Sequence, residues 1–311
     1  MEQQLLTIDH IDVHYGEKMI LHNVTMGLQK GQIVGIVGES GSGKSTTIYS
    51  VLGVLGKGGK VTSGEILYDE KNLLKLKKRA RNELCGAHLS LIAQNPTDSF
   101  HPIRKIKSEF RELAKAHRDF DYGQAEENIL HSMEKMKLDS KSVMEKYAYE
   151  LSGGMCQRAS IAMAMALSPE ILFADEPTSA LDVTVQKEVV EELMQIRDAH
   201  GTSIMIVSHN MGVISYISDY IYVMLAGLVV ECGSRDQVMH NPQHPYTRNL
   251  IKVIPRANVP APRGVVPTEY ERSATACPYH KVCPLKKDIC LKELPPMKEL
   301  EAGRCVRCHF V

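Results

Sequence analysis

Several common features are missing from these 311 residues. There is no charge excess, because Lys plus Arg (37) balances Asp plus Glu (37). A dedicated nucleic-acid binder would usually carry a basic surplus, so that class is disfavoured. Met1-Glu2-Gln3-Gln4 opens no secretory leader pattern. No apolar run is long enough to span a bilayer. The longest candidate, Tyr220 to Val230, reads as a buried strand with a glycine turn, and a soluble chain is expected. Internal repeats are absent too. What the chain does have is globular composition, 43% hydrophobic and 24% charged, enough for one large α/β domain or a medium domain plus a small one. It also has eight cysteines, unevenly placed: Cys85, Cys156 and Cys232 stand alone, and five crowd between Cys277 and Cys308. Without a leader the setting is expected to be reducing, so metal binding outranks disulfides for that group.

The most informative stretch is Gly38-Glu39-Ser40-Gly41-Ser42-Gly43-Lys44-Ser45-Thr46, which fits the phosphate-binding pattern G-x-x-x-x-G-K-[ST]. Its glycines let successive backbone N–H groups converge on phosphate oxygens. Lys44 adds a compact positive charge, and the Ser45 hydroxyl suits Mg²⁺. Ile33 to Val37 reads as a buried strand feeding the loop, and Ser45 to Leu55 as a helix whose N-terminus favours anions. A dinucleotide fingerprint fails, because Thr46 stands where its third glycine belongs. The residues alone therefore predict a nucleoside triphosphate, with an ordinary Gly/Ser turn as the bland alternative.

Along the chain, residues 1–30 alternate in short runs and suggest an antiparallel β layer. Gly64 to Tyr68 looks like a further strand. Lys71 to Arg81 is read as a solvated amphipathic helix, with no aromatic interleaving of the kind nucleic-acid patches use. Ile103 to Lys146 is helical in pattern, a helical insertion, and Ile161 to Leu167 continues as a buried helix. Ile171 to Ala174 and Ser203 to Val207 are short apolar runs around a helix, Val183 to His200, a rhythm that implies a parallel sheet. Prolines 255, 260, 262 and 267 mark a linker before the cysteine-rich tail.

Ile171 to Pro177 is a hydrophobic strand ending in two acids. Asp175 suits Mg²⁺ and Glu176, one residue on, suits a general base that polarises water. Alternatively the pair merely opens the next helix. Leu151-Ser152-Gly153-Gly154-Met155-Cys156-Gln157-Arg158, a second glycine turn before a helix, lies between the loop and Asp175. With these motifs in this order the chain resembles the ATP-binding-cassette (ABC) ATPases over roughly its first 250 residues. The resemblance implies an ABC-type P-loop fold, with a RecA-like core, an antiparallel β layer and a helical subdomain at about 96–160, in a domain spanning 1–254. It implies adenine stacking for Tyr15, sensing of Mg²⁺ and γ-phosphate for Gln94, a D-loop at Ser179 to Asp182, and a switch histidine at His209. It also implies a dimer. Ser152, Gly153, Gly154 and Gln157 would face the partner's nucleotide, with Ser152 and its helix N-terminus aimed at γ-phosphate. Each residue has a plainer alternative: a half-buried strand tyrosine, a polar loop glutamine, a helix-capping histidine.

Two further stretches, Ala174 to Gln186 and Asn241-Pro242-Gln243-His244-Pro245-Tyr246-Thr247-Arg248-Asn249-Leu250, resemble the oligopeptide/dipeptide/nickel importer branch. That branch implies a peripheral protein on the cytoplasmic face of the membrane, a second ATPase subunit (same or different), two permeases, and an extracytoplasmic binding protein, with no nucleic acid. Ala93 and Cys156 depart from the branch, where an aromatic and a basic or polar residue are usual. The 255–311 extension carries Cys277, Cys283, Cys290 and Cys308 at a spacing that resembles the branch's C-terminal cysteine pattern, some members of which hold a [4Fe–4S] cluster. Pro follows Cys277 and Cys283, as it often does at ferredoxin ligands. Zn²⁺ is the alternative, Cys305 or His309 a substitute ligand, and an unliganded tail the bland reading. Two competing functions remain: a non-transport ABC ATPase, which would usually carry tandem cassettes or heptads, and an iron–sulfur sensor.

Overall fold

The computed structural model describes residues 4–117, 121–179, 181–254, 272–273, 275–301 and 303–311. It divides into two compact units. The first takes in Met1–Gln29, Ile33–Leu74 and Val207–Val311, and the second Lys30–Gln32 and Lys75–Ile206.

In the first unit, β1 (Gln4–Tyr15) and β2 (Lys18–Gln29) form an antiparallel hairpin, followed by β3 (Ile33–Val37), α1 (Lys44–Leu52), β4 (Gly59–Tyr68) and β5 (Lys71–Asn72). Strands β2-β1-β4-β5 make one sheet, the expected antiparallel layer. Leu6, Ile8, Ile11 and Val13 of β1 are fully buried. The inward-facing alternation is interrupted between Ile8 and Ile11 by a register shift, with His10 in left-handed geometry (φ 48°). By contrast β3 is buried throughout, as a strand covered on both faces should be.

The expected helix from Lys71 to Arg81 does not form as one piece. Lys71 and Asn72 pair with Tyr68 and Leu67 of β4, a 3₁₀ turn follows at Leu73–Lys75, and helix α2 occupies Lys78–Leu84. Asn72 decides the break: its side chain donates to Glu65 and accepts from the Leu74 N–H, fixing the chain in a turn. The bases themselves are largely solvated, as expected.

The second unit contains β6 (Leu89–Ile92), α3 (Ile106–Ala116), α4 (Tyr122–Lys135), α5 (Ser140–Met144), α6 (Gly153–Met165), β7 (Ile171–Asp175), α7 (Val183–His200) and most of β8 (Ser203–Ser208). Strand β6 runs parallel to β7, from Leu89↔Ile171 to Ile92↔Ala174. Helices α3 to α5 fill the strand-free insertion. Asp121 and Asp139 cap two of them, and Phe110, Ile129 and Met133 form their buried centre.

The chain then returns to the first unit with α8 (Met211–Ile217), β9 (Tyr220–Leu225), β10 (Leu228–Ser234), α9 (Arg235–His240), α10 (Pro245–Lys252), α11 (Ile289–Lys292), β11 (Lys298–Glu301) and β12 (Arg304–Val306). The run Tyr220 to Val230 is two strands around the turn Ala226-Gly227, and no described helix is long and apolar enough to cross a membrane. Within this unit the sheet order is β11-β12-β10-β9-β3, with β3 parallel to β9. The tail is thus not a separate body: β12 pairs antiparallel with β10, Cys232 opposite Cys305. The linker expected at prolines 255, 260, 262 and 267 lies outside the described residues.

Candidate nucleotide site

The phosphate-type loop bridges β3 and α1, and its backbone is tightly specified. A Cβ on Gly38 would meet the Met224 carbonyl oxygen at 2.2 Å, and Gly43, which opens α1, has φ 105°. Lys44 is 4% exposed, and its Nζ donates to the carbonyls of Gly38 (2.8 Å) and Glu39 (2.9 Å), curling over the loop that carries it. Ser42 Oγ is buried with no hydrogen-bond partner. An orphaned hydroxyl, a clamped ammonium and the N-terminus of a nine-residue helix converge on one loop, a combination suited to an anion. Burial pushes the Glu39 carboxyl up, against the pull of Lys44. Ser40, Gly41, Ser45 and Thr46 complete the loop and the first turn of α1.

Tyr15 ends β1 half-buried, its ring so close to Gly59 that a Cβ there would lie 2.9 Å from it. His209 follows β8 and is exposed. It does not cap α8: Asn210 does, accepting from the Gly212 N–H at 2.9 Å.

In the second unit, Asp175 ends β7 fully buried, and Glu176 turns the chain in left-handed geometry (φ 47°), rare outside glycine and concentrated at functional sites. Gln94 Nε2 lies 3.5 Å from Glu176 Oε2, so the structure brings these two together. Ser152 is the N-cap of α6, accepting from the Met155 N–H, and both Ser152 and Gly153 are exposed, with open space around Gly153. Gly154 is half-buried. Gln157 differs from them in being 2% exposed. Asp182 caps α7, accepting from Thr184 and Val185 N–H groups at 3.0 Å each. Ala180, in the middle of the D-loop stretch, lies outside the described residues. Cys156 is a core residue whose thiol burial raises to about 11.

The His-Pro-Tyr-Thr stretch opens α10. His244 caps it, its Nδ1 accepting from the Tyr246 N–H at 3.1 Å, and Pro245 takes the first turn. Complete burial drives His244 down to about 3, with Arg248 adding to the effect, so the ring stays neutral and able to accept. The residue that sequence reasoning missed here is Glu231, 0% exposed, which receives the N–H groups of Gln243 (2.7 Å) and His244 (2.8 Å), with Arg304 at 3.8 Å. Its signal was present as a lone acid inside the apolar run Leu228 to Cys232.

The tail brings Cys277, Cys283, Cys290 and Cys308 into one another's electrostatic reach. Burial raises Cys277 to about 11, and the other three thiols push the same way. The two Cys-Pro turns are alike: the amide after the proline, Tyr279 or Leu285, hydrogen-bonds back to Cys277 or Cys283. Among the described residues, however, no group of three or more His, Cys, Asp or Glu is arranged to hold a metal ion. The proposed substitutes are engaged elsewhere: Cys305 pairs with Cys232, and His309 Nε2 bonds the Glu293 carbonyl at 3.0 Å.

Against known proteins, residues 21–179 match the family model described as "ABC transporter". The chain belongs to the ABC transporter family. A second model, "Oligopeptide/dipeptide transporter, C-terminal region", matches residues 230–290, the span that includes most of β10, all of α10, and Cys277, Cys283 and Cys290. This ABC chain is 32% identical to the dipeptide transport ATP-binding protein DppD of Escherichia coli K12, covering 98% of this chain and 96% of the relative. It is 35% identical to a probable peptide ABC transporter ATP-binding protein, y4tR, of Sinorhizobium fredii (98% and 94% covered), and 33% identical to the oligopeptide transport ATP-binding protein OppD of Salmonella typhimurium (94% and 88%). Its fold is similar to cbiO1 of Clostridium perfringens, part of an ABC transporter complex (TM-score 0.65, 22% identity, 80% of this chain and 96% of that one). It is similar as well to a dimeric ATP-binding cassette, MJ0796, bound to ADP and Pi (TM-score 0.64, 23% identity, 74% and 98% covered).

Three contacts in this ABC chain lie behind the phosphate loop and were not legible in its motifs. Glu39 N–H donates to the Tyr246 hydroxyl (3.0 Å), Gly227 N–H donates to the Ser42 carbonyl (2.9 Å), and Arg272 donates to the Gly41 carbonyl.

Proposed function

We propose that this chain is the ATP-binding and ATP-hydrolysing subunit of an importer for dipeptides or oligopeptides. What carries the reading is the joint match: the ABC segment and the peptide-transporter C-terminal segment occur in one chain, and peptide-transport ATPases align with it almost end to end. Nickel is the alternative cargo, and the relatives' names favour peptides. The ATPase is assigned to residues 1–254, with a helical subdomain at about 96–160, and the extension to 255–311.

In this reading the loop from Gly38 to Thr46 cradles the phosphates and Tyr15 packs on the base. Lys44 exchanges its contacts with Gly38 and Glu39 carbonyls for phosphate oxygens. Ser45 hydroxyl and Asp175 carboxylate are hard oxygen donors of the kind Mg²⁺ prefers, and that ion neutralises charge on the phosphates when bound. Glu176 takes the proton from the attacking water with Gln94 beside it, and His209 is assigned to the γ-phosphate. Ser152, Gly153 and Gly154, exposed at the N-terminus of α6, are offered to the nucleotide of a second ATPase subunit. Gln157, of the same stretch, is assigned to that set as well, although it is buried in the single chain. Hydrolysis then waits for two chains to close, at the cytoplasmic face of the membrane beneath two permeases, with a binding protein delivering the peptide from outside.

The test is affinity purification from membranes with the genes of neighbouring permeases co-expressed. The reading expects two membrane permeases to come with the chain, and ATP turnover to rise when peptide-loaded binding protein is added. Recovery of soluble partners only, with turnover indifferent to peptide, would support a non-transport ABC protein instead.

We further infer that Cys277, Cys283, Cys290 and Cys308 hold a [4Fe–4S] cluster. What supports the reading is four thiols close enough to influence one another electrostatically and two Cys-Pro turns whose amides bond back to Cys277 and Cys283. As they stand the four are not gathered into a ligand set, and a bound cluster would supply structural bridging or electron transfer. Zn²⁺ is the alternative, since four thiolates also suit a tetrahedral zinc site. Iron and sulfide analysis after anaerobic purification decides: about four irons per chain is the expectation from the cluster type, and a colourless, iron-free protein removes it.

A further inference from the structure

The loop that cradles phosphates has no ladder of its own to hold it. Its glycines adopt left-handed geometry (Gly41 φ 76°, Gly43 φ 105°), and its internal bonds are few: Ser42 N–H donates to the Glu39 carbonyl at 3.1 Å, and Lys44 Nζ clamps the Gly38 and Glu39 carbonyls. The remaining support comes from outside the loop. In this chain much of that support comes from residues far along the sequence. Tyr246, 207 residues beyond Glu39 and fully buried, places its hydroxyl 3.0 Å from the Glu39 N–H. Arg272 forks across three carbonyls: Nη1 donates to Met19 (3.3 Å) and Ile20 (2.9 Å), and Nη2 donates to Gly41. One guanidinium thereby ties the loop to the β1–β2 hairpin, which only a planar, multi-donor cation does well.

We propose that Tyr246 and Arg272 are positioning residues of the nucleotide site, so that the geometry of the phosphate loop depends on the C-terminal segment. This rests on the reading of Gly38 to Thr46 as the ATP loop. Tyr246 is itself held in place. Its ring meets Tyr279 edge-on (centroids 5.5 Å, 63°), Tyr279 receives a hydrogen bond from Asn249 (2.5 Å), and His244 caps the helix turn from which Tyr246 projects. Tyr279 is two residues from Cys277, so the cysteine-bearing turn packs directly behind the tyrosine that holds the loop. A phenylalanine would fill the same space but leave the Glu39 amide without its acceptor. Neither Tyr246 nor Arg272 touches phosphate in this arrangement. Both act through the loop, holding it in the shape that accepts the triphosphate before the ligand arrives, and Arg272 adds a positive charge beside it.

The experiment uses the full chain and a fluorescent ATP analogue, comparing Tyr246→Phe, Arg272→Lys and Tyr222→Phe. Tyr222 is the matched control: its hydroxyl also accepts a backbone N–H (Gly27, 2.9 Å) in the same unit, away from the loop. The expectation for Tyr246→Phe is about tenfold weaker nucleotide binding, the usual scale for one buried amide left unpaired. KM for ATP rises while kcat at saturation stays near wild type, and hydrogen exchange quickens in the peptide covering Gly38 to Thr46. Arg272→Lys, which keeps the charge and loses the fork, shows the same signature more mildly. Tyr222→Phe lowers the melting temperature comparably but moves none of these. Affinity and loop exchange unchanged in both Tyr246→Phe and Arg272→Lys overturn the proposal. If Tyr246→Phe fails to fold, Arg272→Lys alone decides. Lys44→Ala separates the two levels: a wild-type chain that binds no ATP, or binds it equally well without Lys44, overturns the ATP reading itself.

Discussion

Gln94 and Glu176 meet at 3.5 Å, side-chain amide to carboxylate, at the ends of two adjacent parallel strands, β6 and β7. The contact is at the outer limit for a hydrogen bond, so it orients without holding tightly. The left-handed backbone at Glu176 (φ 47°) sets the direction in which its side chain leaves the end of β7.

Replacing that carboxylate separates binding from chemistry. Glu176→Gln is expected to bind ATP as the wild type does, to accumulate as a closed dimer on a sizing column, and to lose turnover by two to four orders of magnitude, the range for a general base. Wild-type phosphate release from this variant would remove Glu176 as the base.

Gly38 tests the backbone side of the same site. A Cβ there would stand 2.2 Å from the Met224 carbonyl oxygen, a clash with backbone rather than with a movable side chain. Gly38→Ala should destabilise the chain by about 1–3 kcal/mol, the range for overpacking, and weaken ATP binding at the same time. Unchanged melting and affinity would show that the strand end is softer than its packing implies.

His244 makes stability depend on acidity. Its folded pKa lies at about 3, below the ordinary 6.5, because burial disfavours the charged ring. Its contribution is therefore complete above about 6.5 and is lost as pH falls toward 3, by up to about 1.4 kcal/mol per pH unit in that window. Glu231 beside it is shifted upward by burial and acts in the opposite sense, favouring the fold at low pH and losing that contribution as pH rises. Comparing melts at pH 7.5 and 5.0 isolates the histidine, since His244→Asn keeps a capping oxygen that does not titrate. The variant should lose less stability on acidification than wild type. Equal losses would mean that His244 is already charged in the fold.

Cys305 should be the fastest thiol at neutral pH. The hydrogen bond from Cys232 lowers it to about 7, whereas Cys156 and Cys277 are each raised to about 11. Iodoacetamide mapping by mass spectrometry is expected to label Cys305 first, with a rate that levels off above about pH 8. Cys232→Ala should return that plateau toward the ordinary thiol range. A Cys305 rate still climbing steeply at pH 9 would contradict the pairing.

The parts legible in the sequence were those written in local pattern. The apolar run Ile33 to Val37, the glycine loop after it, the strand ending in Asp175 and the 18-residue helix from Val183 to His200 all appear as expected. Local signals fail where a distant partner decides. Lys71 and Asn72 have helical neighbours in sequence but are captured by the edge of β4. Cys305 looked like a spare ligand because nothing local reveals that β12 lies against β10. Gln157 shares a motif with Ser152, yet five residues along a helix turn it to the opposite side, toward the core. Tyr246 carries a family motif, while its contact with Glu39 is visible only in three dimensions.

The pairing of β12 with β10 also sets an order of events during synthesis. The sheet that starts at Ile33 gains its strands at Arg304–Val306 and Lys298–Glu301 only after the whole second unit, Lys75 to Ile206, has been made. Until then β10 is an open edge, able to pair with the wrong strand. All of the second unit is synthesised before either of those two strands. Cleavage just before Arg304 would return the mature protein to that unfinished edge.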